Sequence, residues 1–278
     1  MLGRPSDVAY PGPIGANGHL HMESWGDGER VLLVHGSMSF GVLAYSEQRP
    51  LAERWRLDVV DRRGYGQSPA RTGRVDFDED ADDLAALLDD PSHLVGHSYG
   101  GIVCLLAAAR RPEAVHSLTV IEPPAFALVR GHPAVEEIVE RIGRHYETGQ
   151  ALSEEAFLEG FLHAWGFEQP APRRLTDRAR RGVRSSMTER LPWEAKIPLD
   201  RLRAARTPVL VARGAWDAVE AAARERAGAA FAAVCHVLVE QLDAEEAVFP
   251  EAAHQPQLLG ERFNDRVEAF WLAASEPA

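Results

Sequence analysis

The stretch His93-Leu94-Val95-Gly96-His97-Ser98-Tyr99-Gly100-Gly101 decides the reading of this chain. A short apolar strand enters a turn of small residues, and the turn opens directly into an apolar helix, Ile102 to Arg111. Gly96, Ser98 and Gly100 have the spacing Gly-x-Ser-x-Gly, which marks a sharp strand-to-helix turn with serine at its tip. The backbone at such a tip is strained, and the residues two positions away must be small for strand and helix to meet. The helix that follows aims its first amide N–H groups at the same place, where negative charge on an oxygen would be stabilised. In a chain with 23 glycines the spacing alone says little. The strand before it, the helix after it and the additional Gly101 give it weight.

Outward from this turn, strands and helices alternate. Val31-Leu32-Leu33-Val34 is a continuous apolar run, as expected of a strand covered on both faces of a parallel sheet, and it ends in His35-Gly36-Ser37. Residues 1–18, rich in Pro and Gly, read as an irregular or edge-strand lead-in, and His19 to Trp25 as a strand. Tyr45 to Arg54 reads as helix and Leu57 to Val60 as strand, followed by the polar loop Asp61-Arg62-Arg63-Gly64-Tyr65-Gly66-Gln67-Ser68. His116 to Ile121 is a further strand, ending in Glu122-Pro123-Pro124. Pro208 to Ala212 reads as strand, Val219 to Phe231 as helix and Cys235 to Val239 as strand. Asp243 to Glu251 then reads as an acidic connection and Pro256 to Ala274 as a closing helix. This rhythm predicts an α/β fold, a mostly parallel central sheet with helices on both faces.

Between Ala125 and Arg206 the rhythm breaks for a length no structureless loop of a compact domain would occupy. Helical patterns at Val135 to Tyr146, Ser153 to Trp165 and Arg173 to Met187 predict an inserted helical cap. The expected division is 1–124 with 207–278 as the core domain, and 125–206 as the cap.

Charge and composition narrow the partners. The 278 residues are 45% hydrophobic and carry a net charge of −12, from 42 acidic and 30 basic side chains. That balance argues against nucleic acid or an anionic membrane, which require clustered Lys and Arg, and fits a small neutral or apolar molecule. Two cysteines, Cys104 and Cys235, cannot make a disulfide framework or a metal site, and Cys104 reads as a buried free thiol. Met1 to Pro13 lacks the apolar core of a signal peptide, and no apolar run is long enough to span a bilayer, so a cytoplasmic location is expected. The acid-rich run Asp76, Asp78, Glu79, Asp80, Asp82 and Asp83 precedes Leu84, Leu87 and Leu88. It lacks the glycine and ligand spacing of a calcium loop, and so reads as a surface helix whose negative first turns oppose the helix dipole.

Four landmarks in order carry a resemblance: His35-Gly36 after a strand, the loop Asp61 to Ser68, the turn Gly96 to Gly101, and His254 before the last helix. Together the chain resembles the α/β-hydrolase superfamily over nearly its whole length, specifically its capped members. It departs at Ala252-Ala253-His254, where the family usually has a glycine. The resemblance implies a nucleophile elbow and a catalytic triad in the chain order nucleophile, acid, histidine. Ser98 is then the nucleophile and His254 the base that takes its proton. Asp217, in Arg213-Gly214-Ala215-Trp216-Asp217, is the first choice of acid, although Asp217-x-x-Glu220 is also a helix-capping pattern. Glu122 is the alternative acid. His35 and His97 count as scaffold.

The oxyanion hole would use the backbone N–H groups of Tyr99 and Ser37, with Met38 a near rival to Ser37. Serine rather than aspartate at 98 argues against the alkyl-ester chemistry of haloalkane dehalogenases and epoxide hydrolases. Phe157, Phe161 and Trp165 recur at helical spacing in the cap; such a stripe packs more often than it binds, and Phe161, Trp165 and Trp193 are the substrate-contact candidates. The expected activity is that of a serine esterase: cleavage of a carboxylic ester, lactone or thioester of a small, largely apolar molecule, with no metal or organic cofactor. Carbon–carbon bond hydrolysis or a biosynthetic lyase or cyclase reaction at the same triad is the alternative, and a non-catalytic ligand-binding module the third reading.

Overall fold

The computed structural model describes residues 20–71, 73–168 and 174–275. The lead-in and signal-peptide readings over the first residues lie outside these, as do His19 and Arg173, the first residues of two expected elements.

Seven strands form one sheet in the order β1-β3-β2-β4-β5-β6-β7. They are β1 Met22–Trp25, β2 Glu29–Val34, β3 Trp55–Val60, β4 Ser92–His97, β5 Val115–Ile121, β6 Val209–Gly214 and β7 Glu245–Phe249. β1 runs antiparallel to β3 and every other pair is parallel. The continuous apolar run of β2 divides between two cores: Leu32 and Val34 face the helices Phe77–Ala86, Tyr99–Arg110 and Ala229–Leu242, whereas Val31 and Leu33 face the helix Glu261–Ser275. Side chains alternate across a strand, so a run apolar at every position requires helices on both faces.

Strand order reverses between β2 and β4, which neighbour each other although β3 lies between them in sequence. Their carboxyl ends open the crevice in which parallel sheets place ligands, and both His35-Gly36 and Ser98 emerge there. Between β5 and β6 the chain forms the helices Pro133–Gly149, Glu154–Trp165 and Asp177–Ser186 and the shorter Leu199–Ala205, matching the helical patterns in the sequence.

Three expectations need correction. Cys235 to Val239 is not a strand but the middle of the helix Ala229–Leu242. The seventh strand is instead Glu245–Phe249, within the stretch read as an acidic connection. A short apolar run has no period that separates buried strand from buried helix, and an edge strand can carry charge on its open side, as Glu245 and Glu246 do. Ser46–Glu53 winds as 3₁₀ turns, with Pro50 lacking the N–H that an α-helix would use there. In the acidic helix, Asp76 caps the N-terminus, but Asp80 is buried and pairs with Arg62 at 2.8 Å. Burial pushes the Asp80 carboxyl up to about 6 against the pull of Arg62.

Candidate active site

Ser98 sits between β4 and the helix Tyr99–Arg110 with φ 54° and ψ −124°. A side chain at Gly96 would lie 2.4 Å from the Gly100 carbonyl oxygen, and one at Gly100 would lie 2.3 Å from that of Val34. The two glycines therefore let strand, helix and neighbouring strand close around the turn. Gly96→Ala is expected to destabilise the protein by about 3 kcal/mol through overpacking, read as a lower urea midpoint; an unchanged midpoint would show that the turn has room.

Positive φ at non-glycine residues is concentrated here. Of the six such residues among those described, Met38, Ser98, Glu122 and Trp216 belong to the site or abut it. Strained backbone of this kind persists where surrounding structure holds it, commonly at functional sites.

Ser98 and His254 line one cavity of about 150 Å³, together with Ser37, Tyr99, Phe161, Trp165 and Trp193. All three aromatic candidates thus face the same space as the serine, whereas Phe157 is fully buried in a small cluster with Val183 and Met187. The aromatic stripe is therefore divided between packing and cavity wall. No hydrogen bond joins Ser98 to His254 among the described residues; catalytic hydrogen bonds often tighten only when substrate is seated.

The carboxylate beside the imidazole is Glu122, at the end of β5. Its Oε2 lies 2.8 Å from His254 Nδ1, and its Oε1 accepts from Trp216 Nε1 at 2.8 Å and from the Gly214 amide at 2.9 Å. Asp217 is exposed on the turn after β6 and makes no hydrogen bond or ion pair among the described residues. The geometry thus pairs the imidazole with Glu122, the alternative acid, and not with Asp217, the first choice from sequence. The loop Arg213 to Asp217 serves the imidazole through Gly214 and Trp216, as donors to the buried carboxylate, while Asp217 points to solvent. Trp216 was not singled out from sequence in this role; the available signal was a buried-strand carboxylate that would need N–H donors from the next strand's end.

Burial holds His254 down to about 3, so the imidazole is neutral near pH 7 and one ring nitrogen carries a free lone pair. Burial pushes Glu122 up, and the Trp216 and Gly214 donors pull against it. Two N–H groups already occupy Oε1, and a proton on His254 Nδ1, 2.8 Å from Oε2, would leave Nε2 as the basic nitrogen. Phe231 stacks on the imidazole at 4.3 Å between ring centroids, and His97 Nε2 lies 2.8 Å from the His254 carbonyl oxygen, fixing the ring and its backbone.

The rings of His35 and His97 are both engaged by backbone groups. His35 Nδ1–H donates to the Gly36 carbonyl at 2.7 Å, and its Nε2 accepts from the Arg62 amide at 3.0 Å. Burial, first among the causes, holds both imidazoles down to about 3. Of the oxyanion candidates, the N–H groups of Ser37 and Tyr99 make no hydrogen bond among the described residues, whereas the Met38 N–H donates to Ser186 Oγ at 2.8 Å. Cys104 and Cys235 are free and buried, and among the described residues no cluster of His, Cys, Asp and Glu is arranged to hold a metal ion. Likewise, among the described residues no helix is long and apolar enough to cross a membrane.

A half-buried serine at a strained turn, an imidazole in the same cavity and a carboxyl group behind it have the arrangement that a nucleophile, a base and an acid would need. Residues 29–230 match the family described as alpha/beta hydrolase fold, and the chain belongs to that family. Among curated relatives, the pimeloyl-[acyl-carrier protein] methyl ester esterase of Aeromonas hydrophila is 36% identical over 110 residues, covering 38% of this chain and 43% of that protein. The protein of the same name from Methylococcus capsulatus is 32% identical over 177 residues, covering 63% of this chain and 66% of that protein. The chain spans about half the length of the curated relatives it matches, from 43% to 54% for those of Aeromonas hydrophila and Aliivibrio fischeri. Among solved structures, a thermophilic esterase from Thermogutta terrifontis superposes with a TM-score of 0.64 at 24% identity, covering 92% of this chain and 94% of that one. The esterase EaEST from Exiguobacterium antarcticum gives 0.65 at 23% identity, covering 91% and 95%. At these identities the likeness is one of fold.

Proposed function

We propose that this protein is a serine hydrolase that cleaves a carboxylic ester, lactone or thioester of a small, largely apolar molecule through an acyl-enzyme. The observation that carries the reading is Ser98, at its strained turn, sharing a cavity with a His254 imidazole whose Nδ1 lies 2.8 Å from Glu122. In the proposed first half-reaction, Ser98 Oγ attacks the substrate carbonyl carbon as its proton passes to His254 Nε2. The carbonyl oxygen takes the electron pair and meets the N–H groups of Ser37 and Tyr99. Collapse of the tetrahedral species breaks the bond to the alcohol or thiol, which takes the proton from His254 and departs, or, from a lactone, stays on the acyl chain as a hydroxyl. Water, deprotonated by the same nitrogen, then releases the acid and restores Ser98. Glu122 holds the imidazole tautomer throughout and balances the imidazolium charge.

Residues 125–206 serve in this reading as a cap, contributing Phe161, Trp165 and Trp193 to the cavity wall. The wall is aromatic and the volume, about 150 Å³, is similar to that of an apolar cavity able to hold a benzene ring. We therefore infer preference for a short or aromatic group next to the scissile carbonyl. The names of the curated relatives support ester chemistry for the family to which this chain belongs. The two buried free cysteines suit a reducing compartment, in keeping with a cytoplasmic location.

A panel of acyl esters, lactones and thioesters graded by acyl size, including a pimeloyl methyl ester, tests this reading. The expected result is release of the free acid, with kcat/KM for butyryl or benzoyl esters about tenfold or more above that for octanoyl esters, since methylenes beyond the cavity gain no burial and overfilling it costs about 1–3 kcal/mol. A product formed without uptake of water, or cleavage of a carbon–carbon bond in preference to every ester, would overturn it. Tight binding of a ligand with no turnover would return the protein to the class of binding modules.

A further inference from the structure

The loop after β2 is held from two sides. From the sheet side, Arg62 donates to the His35 carbonyl at 3.1 Å through Nε and to the Gly36 carbonyl at 3.1 Å through Nη2. A trans peptide points its N–H opposite to its C=O. Fixing the Gly36 oxygen therefore fixes the direction of the Ser37 N–H. A side chain at Gly36 would lie 2.8 Å from Ser98 Cβ, so this peptide rests directly against the serine.

From the other side, the grip comes from residues more than a hundred positions away, at the end of the inserted helix Asp177–Ser186 and just beyond it. Ser37 Oγ donates to Glu189 Oε2 at 2.5 Å. The Met38 N–H, at a residue held at φ 58°, donates to Ser186 Oγ at 2.8 Å. Tyr65 OH donates to Glu189 Oε1 at 2.5 Å and lies 3.0 Å from Ser186 Oγ, and Arg62 Nη2 reaches Glu189 Oε1 at 2.7 Å. Ser186 and Glu189 are buried, and a side chain at Gly182 would lie 3.0 Å from the Ser39 carbonyl oxygen, so the helix lies close against the loop backbone. Met38 and Ser37 offer adjacent amides of which one is consumed by Ser186, leaving the other available.

We propose that Ser186 and Glu189 are positioning residues for the oxyanion hole: by engaging the Met38 amide and the Ser37 hydroxyl they select the Ser37 N–H as the donor and make its placement depend on docking of the inserted helices. This rests on the hydrolase reading above for its catalytic consequence, but not for its geometry. A donor group shifted by about 1 Å costs on the order of a hundredfold in rate. Loss of either partner is thus expected to slow the acylation chemistry; Ser186 does not line the cavity, so its loss should leave apolar substrate binding almost unchanged, whereas Glu189 also reaches the cavity wall.

The test uses the full chain, with a fluorophosphonate probe whose second-order labelling rate reports attack by Ser98, and ester kcat and KM measured separately. Ser186→Ala and Glu189→Ala are each expected to slow labelling by about a hundredfold, lowering kcat, with KM within about twofold for Ser186→Ala, which does not alter the cavity lining. Glu189→Gln keeps an acceptor for Arg62 and Tyr65 and a polar partner for Ser37, and is expected to recover most of the loss. Labelling rates equal to wild type in Ser186→Ala and Glu189→Ala, with only a lower melting temperature, would overturn the proposal and make the network purely structural. Should Glu189→Ala fail to fold, Ser186→Ala, which removes one hydroxyl, decides alone. A wild-type protein that the probe does not label would instead overturn the hydrolase reading. In that event the crystal structure of Ser186→Ala still tests the positioning, which an unmoved Ser37–Met38 backbone would sink.

Discussion

Ser98→Ala is expected to lower kcat on any hydrolysed ester by about 10⁶-fold, the loss seen when a triad nucleophile is removed. The substitution isolates chemistry from folding. The Ser98 side chain makes no capping hydrogen bond to its helix, and alanine meets the same backbone strain at φ 54° as serine does. The unfolding free energy from urea titration should therefore stay within about 0.5 kcal/mol of wild type. Residual turnover would come from the Ser37 and Tyr99 amides and from binding, which act on an attacking water as well. The fluorophosphonate probe should label wild type and leave Ser98→Ala unlabelled. Equal labelling of the two would remove Ser98 from the proposed mechanism.

Glu122→Gln is expected to lower kcat by about 10⁴-fold, with Asp217→Asn within twofold of wild type. The argument concerns the tautomer of His254. Glu122 Oε1 already accepts from Trp216 and Gly214, so a glutamine would keep its carbonyl oxygen there and turn its NH₂ toward His254 Nδ1. Nδ1 must then accept, the proton moves to Nε2, and the imidazole can no longer take the Ser98 proton. The side chain is nearly isosteric and its donors remain satisfied, so the fold should survive. Measured side by side on one activated ester, a large loss in Asp217→Asn with full activity in Glu122→Gln would restore the acid preferred from sequence.

The two carboxylates show why part of the site was legible and part was not. Both follow a strand, both precede residues able to turn the chain, and nothing local distinguishes them. The difference is where the strand ends lie in space. β5 and β6 are neighbours, so the Gly214 amide and the Trp216 indole from the end of β6 reach Glu122 at the end of β5, and Asp217 one residue further along faces solvent. Asp80 makes the same point: in sequence it is one acid in a charged run, and only the approach of Arg62 turns it into a buried ion pair. Cys235 to Val239 failed for a different reason, since an apolar run buried on a helix and one buried in a strand obey no distinguishable period over five residues.

The turn from Gly96 to Gly101 could be read from the sequence because its requirements are local. Three small residues at fixed spacing between an apolar strand and an apolar helix leave a single economical path for the backbone, and the serine is placed by that path. The parallel sheet and the inserted helices were legible on similar grounds, from periodicity over many residues and from a stretch too long to be a loop. Which carboxylate backs His254, which aromatic rings face the cavity, and which amide of the Ser37–Met38 pair stays free were decided by tertiary structure alone. Each depends on a contact between segments far apart in the chain, Glu122 with Trp216, or Ser37 with Glu189, and such a contact has no spacing in the sequence to announce it.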